Sequence, residues 1–391
     1  MQDLIALDYE FPIEGLYGKP REALTQTDDP AIFALQDVGE GLDTDAGILF
    51  TLGRNPAPVP ILYDKTTGHF SLACTDPLCG HDTSDGCIWA RSFTGSISRG
   101  GDRLLFTVNQ TDGETISSQI FSGDLAGNDL REMYQSSGYI GSMTRCGDYL
   151  FFAEERFDPE SGGVVHPLLR ISVNGGRAEQ VLPDAQYSIV TLFLPFDAGR
   201  SVLYMDPEDD GCYFVTVETG EKALFGSDVF PFAVYRGWIY YNAEDGLYRA
   251  SEENIGVREK VLDECLYYSS DCCFVGDRMY YLRQTVFSES EMFGEYHQYA
   301  LYSAALDGSD ATFHMDFLTD DIPDKVSSIW TDGRLLLVGY WPYWDFQNEF
   351  HPVFKPQSGS QNPRTISLID LSTGEKLLFY SSYRDLSEVL R

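Results

Sequence analysis

Apolar residues come along this chain in short runs that end at Gly, Asp, Asn or Pro, and no comparable stretch carries a helical period. One kind of run opens at a glycine: GILFTL at Gly47, GDRLLFTV at Gly101, GDYLFFAE at Gly147 and GRSVLYMD at Gly199. It returns as GWIYYNAE at Gly237, GDRMYYLR at Gly276 and GRLLLVGY at Gly333. Glycine supplies the positive φ of a tight turn, so each run reads as a turn followed by a strand. A second kind reads strand, polar turn, strand: ILYDKTTGHFSL from Ile61, IFSGDLAGNDLREM from Ile120, LLRISVNGGRAEQV from Leu168 and YFVTVETGEKAL from Tyr213. LYRASEENIGVREKV from Leu247, LYSAALDGSDATFH from Leu301 and ISLIDLSTGEKLLF from Ile366 complete that set. Period-two alternation around a Gly or Asn turn predicts a β-hairpin.

The two kinds alternate strictly, seven times each, and the seven glycines are 54, 46, 52, 38, 39 and 57 residues apart. That spacing brackets the ~40–45 residues of a four-stranded propeller blade. The expected fold is all-β, a single seven-bladed β-propeller of four-stranded antiparallel blades. Residues 1–30 read as an N-terminal extension and 31–391 as the propeller. Its blades fall near 31–73, 94–135, 138–184, 187–227, 230–265, 268–318 and 326–383, with a Cys/His insert at 74–90. Two β-sandwiches would explain the strands but not seven matching units.

IYYNAEDGLYRAS (Ile239 to Ser251) resembles the YWTD-type blade of lipoprotein-receptor propellers, and LDGS (Leu306 to Ser309) resembles a turn of the same repeats. The aromatic pair followed by a short loop and a strand is also similar to bacterial TolB-like propellers. The chain departs from the YWTD consensus at its Trp, Thr and Asp, and it has seven units where that family has six. The resemblance implies a propeller and carries over no functional residue. The stretch around Cys74 is similar to uncharacterised bacterial surface propellers with a Cys-Cys-His-Cys segment, which implies export.

Composition narrows the partners. With 27 basic and 61 acidic residues the formal charge is −34, which repels phosphate backbones and anionic lipid, so nucleic acid and bare membrane are poor partners. No apolar run reaches the ~18 residues of a membrane span. The N-terminus MQDLIALDYEFPIEGLYG lacks the basic start and apolar core of a signal peptide. Either the protein is cytoplasmic or this is the mature form of an exported one; the resemblance of the Cys74 stretch implies the latter, so an extracytoplasmic location is expected, with a cytoplasmic one as the alternative.

Propeller geometry places the loops between second and third strands, and the blade-to-blade crossovers, on one face. The expected long insertions all fall there: ERFDPESGGVVH in blade 3, RQTVFSESEMFGEYHQ in blade 6 and the stretch from Gly339 to Pro363 in blade 7. Long loops on a rigid scaffold are where binding residues concentrate. Trp341, Tyr343, Trp344 and Asp345 form the densest aromatic patch, suited to stacking on sugars or anchoring a protein; His297 and His351 lie on neighbouring loops. Glu289, Glu291, Glu295 and Glu349 are candidates for a carboxylate pair of glycosidase type. DPEDDG at Asp206 is only loosely like a calcium loop.

Cys74, Cys79, His81 and Cys87 follow C-x4-C-x-H-x5-C on the same face. Three thiolates and an imidazole suit tetrahedral Zn²⁺, and four protein ligands would leave no open position, so such a zinc is structural. A disulfide and free thiols stay open as alternatives. Cys146, Cys212 and Cys272 read as core thiols, while Cys272 and Cys273 point to opposite faces of a strand and one of them is within reach of Cys265. No G-x-S-x-G, P-loop or H-E-x-x-H motif is present. The functional expectation is a non-catalytic propeller binding a protein or glycan on the loop-bearing face. The alternatives are a carbohydrate-active hydrolase or lyase with its site in the central depression of that face, and a structural component of a surface assembly.

Overall fold

The computed structural model describes residues 32–33, 42–44, 47–52, 59–72, 97–100, 103–112, 115–124, 129–159, 162–182, 193–206, 209, 211–266, 271–290, 294–317, 324–342 and 365–381. A short β1 (Ile32–Phe33) precedes the repeat. Sheet 1 holds β2 (Leu42–Asp43), β3 (Ile48–Leu52), β4 (Val59–Tyr63) and β5 (Phe70–Leu72). Sheet 2 holds β6 (Ile97–Gly100), β7 (Arg103–Asp112), β8 (Thr115–Asp124) and β9 (Arg131–Ser136). Sheet 3 holds β10 (Tyr139–Cys146), β11 (Tyr149–Asp158), β12 (Gly163–Val165), β13 (Leu168–Ser172) and β14 (Glu179–Leu182). Sheet 4 holds β15 (Phe193–Phe196), β16 (Ser201–Met205), β17 (Gly211–Thr216) and β18 (Lys222–Ser227). Sheet 5 holds β19 (Phe230–Tyr235), β20 (Trp238–Ala243), β21 (Gly246–Ser251) and β22 (Arg258–Leu262). Sheet 6 holds β23 (Cys272–Val275), β24 (Arg278–Ser290), β25 (Gly294–Ala305) and β26 (Thr312–Asp316). Sheet 7 holds β27 (Asp324–Thr331), β28 (Leu335–Pro342), β29 (Thr365–Asp370) and β30 (Glu375–Ser381).

In each sheet four strands form an antiparallel meander in chain order, with β12 added beside β11 in sheet 3 and β1 beside β19 in sheet 5, and together the seven make a seven-bladed β-propeller. The glycines that open the repeat do what the sequence requires: Gly47, Gly147, Gly199, Gly237, Gly276 and Gly333 all have positive φ. Gly47 also has no room for a side chain, because a Cβ there would lie 2.0 Å from the Tyr63 carbonyl oxygen.

The chain divides into two compact units. In the unit built from sheets 2 to 5, neighbouring sheets pack face to face through apolar side chains. Leu105 and Ile120 meet Ile140, Leu150 and Phe152; Phe151 and Leu168 meet Phe193 and Val202; Leu203 and Phe225 meet Ile239 and Tyr241. The first strands of these sheets, β10, β15 and β19, approach one another with Cα atoms within 8 Å. In the unit that contains sheets 6, 7 and 1, sheet 7 lies between the other two. Leu282 and Leu301 pack on Leu336 and Val338, while Phe50, Ile61 and Phe70 pack on Trp330, Leu335 and Leu337. Sheets 6, 7 and 1 are thus neighbours, as the sequence predicts.

Repeats reuse polar fasteners as well as strands. Arg103 opens β7, and its Nε–H donates to Ser122 Oγ (2.6 Å) and an Nη2–H to the Asp129 carbonyl (3.1 Å). Arg278 opens β24 and does the same with Ser303 (2.9 Å) and the Asp310 carbonyl (3.1 Å). Asp129 and Asp310 both sit at φ 53°. In sheets 3 and 5, Arg170 and Arg249 each lie over an aromatic ring, Tyr149 at 4.3 Å and Trp238 at 4.1 Å. Each also pairs with its cross-strand glutamate, Glu179 or Glu259. Such guanidinium stacking buries the flat cation without stripping its hydrogen bonds.

Two outcomes follow from this packing. Gly47→Ala forces a Cβ into the Tyr63 carbonyl at φ 151° and should lower stability by about 1–3 kcal/mol, read as a reduced urea midpoint. His314 stacks on Tyr280 (5.6 Å) and is hydrogen-bonded to Ser303 Oγ (2.8 Å); burial, and then Arg278, hold its pKa below the ordinary 6.5. The unfolded chain then binds the proton more readily, so stability is full above that ordinary value and falls as pH drops through it. A urea midpoint followed from pH 8 to 5 should decline less steeply in His314→Gln than in the wild type; equal slopes would remove His314 from the account.

Candidate functional site

Connections between second and third strands leave each sheet on the same side as the crossovers to the next sheet. The expected long loops on that side are, over the described residues, continued β-pairing. In sheet 3, Arg156, Phe157 and Asp158 of β11 pair with Val165, Val164 and Gly163 of β12. In sheet 6, pairing resumes after a bulge between Gln284 and Val286 and runs to Ser290 opposite Gly294. In sheet 2, β7 and β8 pair without interruption from Arg103–Asp124 to Asp112–Thr115. These are hairpin arms that prolong the blades, stiffer than loops because their backbone polar groups are already paired.

His297 lies on β25 in register with Phe287, and Glu289 is the register partner of Glu295. Trp341 lies on β28 opposite Lys325, one residue before the end of that strand. Tyr343, Trp344, Asp345, His351, Glu291 and Glu349 fall outside the described residues, as do Cys74, Cys79, His81 and Cys87. Of the candidate groups, the described structure places Glu289 opposite Glu295, and it neither joins nor separates those that lie outside the described residues.

Sequence reasoning missed the polar cluster at the base of the sheet 3 arm. Glu154 sits on β11 with 3% of its surface exposed. Ser136 Oγ–H donates to Glu154 Oε1, Tyr134 OH lies 3.4 Å from both carboxylate oxygens, and Arg156 Nη1 is 3.5 Å from Oε2. Ser136 and Tyr134 belong to the last strand of sheet 2, so the carboxylate ties one sheet to the next. The tie continues along the crossover: Gly138 N–H donates to Ser136 Oγ (2.8 Å), Ile140 N–H to Ser118 Oγ (3.1 Å), and Ser118 Oγ–H to the Gly138 carbonyl (2.7 Å). Gly138 is obligatory there, because a Cβ would lie 2.0 Å from the Glu155 carbonyl oxygen. Burial, and then the neighbouring Glu154 charge, push the Tyr134 hydroxyl up to about 12, so it stays a donor at any physiological pH. This cluster is enclosed and internally satisfied, which suits holding the arm rather than acting on a substrate. Its one sequence signal is Ser-Ser-Gly at a blade crossover.

Beyond the cluster the arm turns apolar and exposed. Phe157 is 66% and Val164 53% exposed, and the two are register partners, so they form one cross-strand pair. Ile116, near the end of the sheet 2 arm, is 39% exposed.

The acidic turn of sheet 4 is taken up by internal partners. Lys222 pairs with Asp206 (2.5 Å) and lies over the Tyr213 ring (3.9 Å). Asp209 accepts from Tyr213 OH (2.6 Å) and Gly211 N–H (2.9 Å), bonds that hold its carboxyl below the usual range. Sheet 5 repeats the device with Asp245, Tyr248 and Lys260. Among the described residues no group of His, Cys, Asp and Glu is arranged to hold a metal ion. Cys146, Cys212, Cys272 and Cys273 are buried and in no disulfide, and burial pushes Cys146 and Cys212 up to about 12, which makes those two inert.

No family model matches the chain, and no curated protein matches it. Solved structures do. An oligogalacturonate lyase from Vibrio parahaemolyticus is similar at 12% identity over 84% of this chain and 83% of its own, with a TM-score of 0.44. A putative TolB from Agrobacterium tumefaciens is similar at 15% identity over 69% and 91%, with a TM-score of 0.36. TolB from Acinetobacter baumannii is similar at 13% identity over 86% and 77%, with a TM-score of 0.38. Likeness at this level carries no argument about activity.

Removing the buried carboxylate gives a direct check. Glu154→Ala leaves the Ser136 hydroxyl and the Arg156 guanidinium without their partner and should cost about 1–3 kcal/mol. Hydrogen exchange should rise at Gly138 and Ile140, whose amides depend on the crossover being held. Unchanged protection at both amides would contradict the tie.

Proposed function

We propose that this chain is a non-catalytic binding propeller that holds a protein or glycan partner on the face bearing its hairpin arms. The observation that carries this reading is the exposed Phe157–Val164 pair, set at the end of a β-arm whose base is locked by the Glu154 cluster. An apolar pair on a rigid projection loses little entropy when it is covered, which is what an anchor needs.

In this proposal Trp341, Tyr343, Trp344 and Asp345, with His297 and His351, extend the binding surface on the sheet 6 and sheet 7 side. Cys74, Cys79, His81 and Cys87 form a zinc-held cap: three thiolates and one imidazole complete a tetrahedral set with no position left for catalysis. Export to an extracytoplasmic location completes the proposal.

Two measurements test it. Wild type, Phe157→Asp/Val164→Asp and Trp341→Ala/Trp344→Ala are compared on a glycan array and, immobilised, for retention of proteins from a cell-envelope extract. The expected result is a ligand whose retention falls at least tenfold in a variant, the scale of losing about 1.4 kcal/mol of anchoring. Identical retention by all three proteins contradicts the binding face, and chain cleavage of a polysaccharide by the wild type contradicts the non-catalytic reading. For the cap, native mass spectrometry should show an excess of one zinc that is lost on denaturation. A deficit of about two hydrogens restored by reduction would mean a disulfide instead.

A further inference from the structure

The repeat accounts for four strands in every sheet, yet sheet 5 has a fifth. β1 pairs antiparallel with the free edge of β19, Ile32 opposite Val234 and Phe33 opposite Ala233. It comes from the far end of the chain, whereas the four strands of each blade are contiguous in sequence. Its Cα atoms also come within 8 Å of those of β10 and β15, the first strands of sheets 3 and 4. β1 therefore lies where three first strands converge, and it is no part of any blade.

We propose that the inner edge of β19 is an acceptor site for an extended apolar peptide, and that the chain fills it with its own Ile32–Phe33 segment. A first strand presents one row of N–H and C=O groups to its blade and a second row to the axis, and the second row is unpaired unless a strand is added. Added strands gain affinity from main-chain hydrogen bonds and specificity from what surrounds them. The strands around it are apolar: Phe232 to Tyr235 of β19 are buried, and Phe193, Leu194 and Phe196 of β15 and Ile140 and Met143 of β10 are buried in the packing between sheets. The occupant supplies a matching stretch, Pro30-Ala-Ile-Phe-Ala-Leu35.

The pairing is short, which makes it exchangeable. β1 engages two of the six residues of β19. Each net hydrogen bond contributes about 0.5–1.5 kcal/mol. The segment is also covalently tethered to the chain, which raises its local concentration above that of a free peptide. A peptide in trans competes once that tether is cut or the native strand is weakened. This site is separate from the arm-bearing face and does not depend on the function proposed for that face.

The test uses protein lacking residues 1–38 and a fluorescent peptide of residues 28–37, with a Phe33→Pro peptide as control. The expected result is saturable one-to-one binding, at least tenfold weaker for the proline peptide, together with new amide protection in Phe230–Tyr235. Absence of binding by a truncated protein that still unfolds cooperatively overturns the proposal. Where truncation prevents folding, full-length Ile32→Pro/Phe33→Pro takes its place. The peptide must then bind this variant at least tenfold more tightly than it binds wild type, and equal binding overturns the proposal.

Discussion

The structure depends on apolar sheets that are covered on both faces. A blade in the middle of a stack has no solvent side, so its second and third strands must be apolar at successive positions rather than alternate ones. That is why Leu150, Phe151 and Phe152 of β11 are all buried, and why Leu335 to Val338 of β28 form an unbroken buried run. The same rule lets the C-terminal sheet meet the N-terminal one. Every described strand of sheet 7 comes from the end of the repeat and every described strand of sheet 1 from its beginning. Among the described residues no strand is exchanged between them. They are joined by Trp330, Leu335, Leu337 and Leu368 against Ile48, Phe50, Ile61 and Phe70, with Lys65 and Asp332 paired at 2.6 Å beside them. The ion pair is partly exposed and contributes little; the aromatic and aliphatic packing does the joining.

Much of this was legible in the sequence. A glycine before an apolar run marks a turn because only glycine enters positive φ without strain, and the described members of the series bear that out. The hairpin half is legible through its period, and adjacency of sheets 6, 7 and 1 follows from having seven equal units. The arms were harder to read. The sequence places Phe287 and His297 in a loop, yet they are register partners in a bulged hairpin. The bulge shifts the register, so the period-two signal breaks where pairing in fact continues. β1 was invisible for a different reason: two residues carry no period, and their partner lies far along the chain.

The candidate surface was less legible than the fold, and the reason is physical. Glu154 follows an apolar run, as a solvent-facing residue at a strand end would, and only the spatial neighbours Ser136 and Tyr134 reveal it as a buried tie. A site of that sort is made by two sheets meeting, and sequence spacing within one sheet cannot report it. The result is a division of labour: packed blades fix position, a polar tie at the crossover fixes the arm, and the Phe157–Val164 pair stands exposed at its end.

The central claim is that side-chain packing between sheets, rather than strand exchange, holds the repeat together where the chain's two ends meet. The most direct measurement is residue-resolved amide hydrogen exchange on Trp330→Ala, a truncation at the centre of the sheet 7–sheet 1 contact. Removing so large a buried side chain costs about 3–5 kcal/mol. The account predicts faster exchange in β3 and β4 of sheet 1 together with β27 and β28 of sheet 7. Faster exchange confined to β27, with sheet 1 as protected as in the wild type, would contradict it.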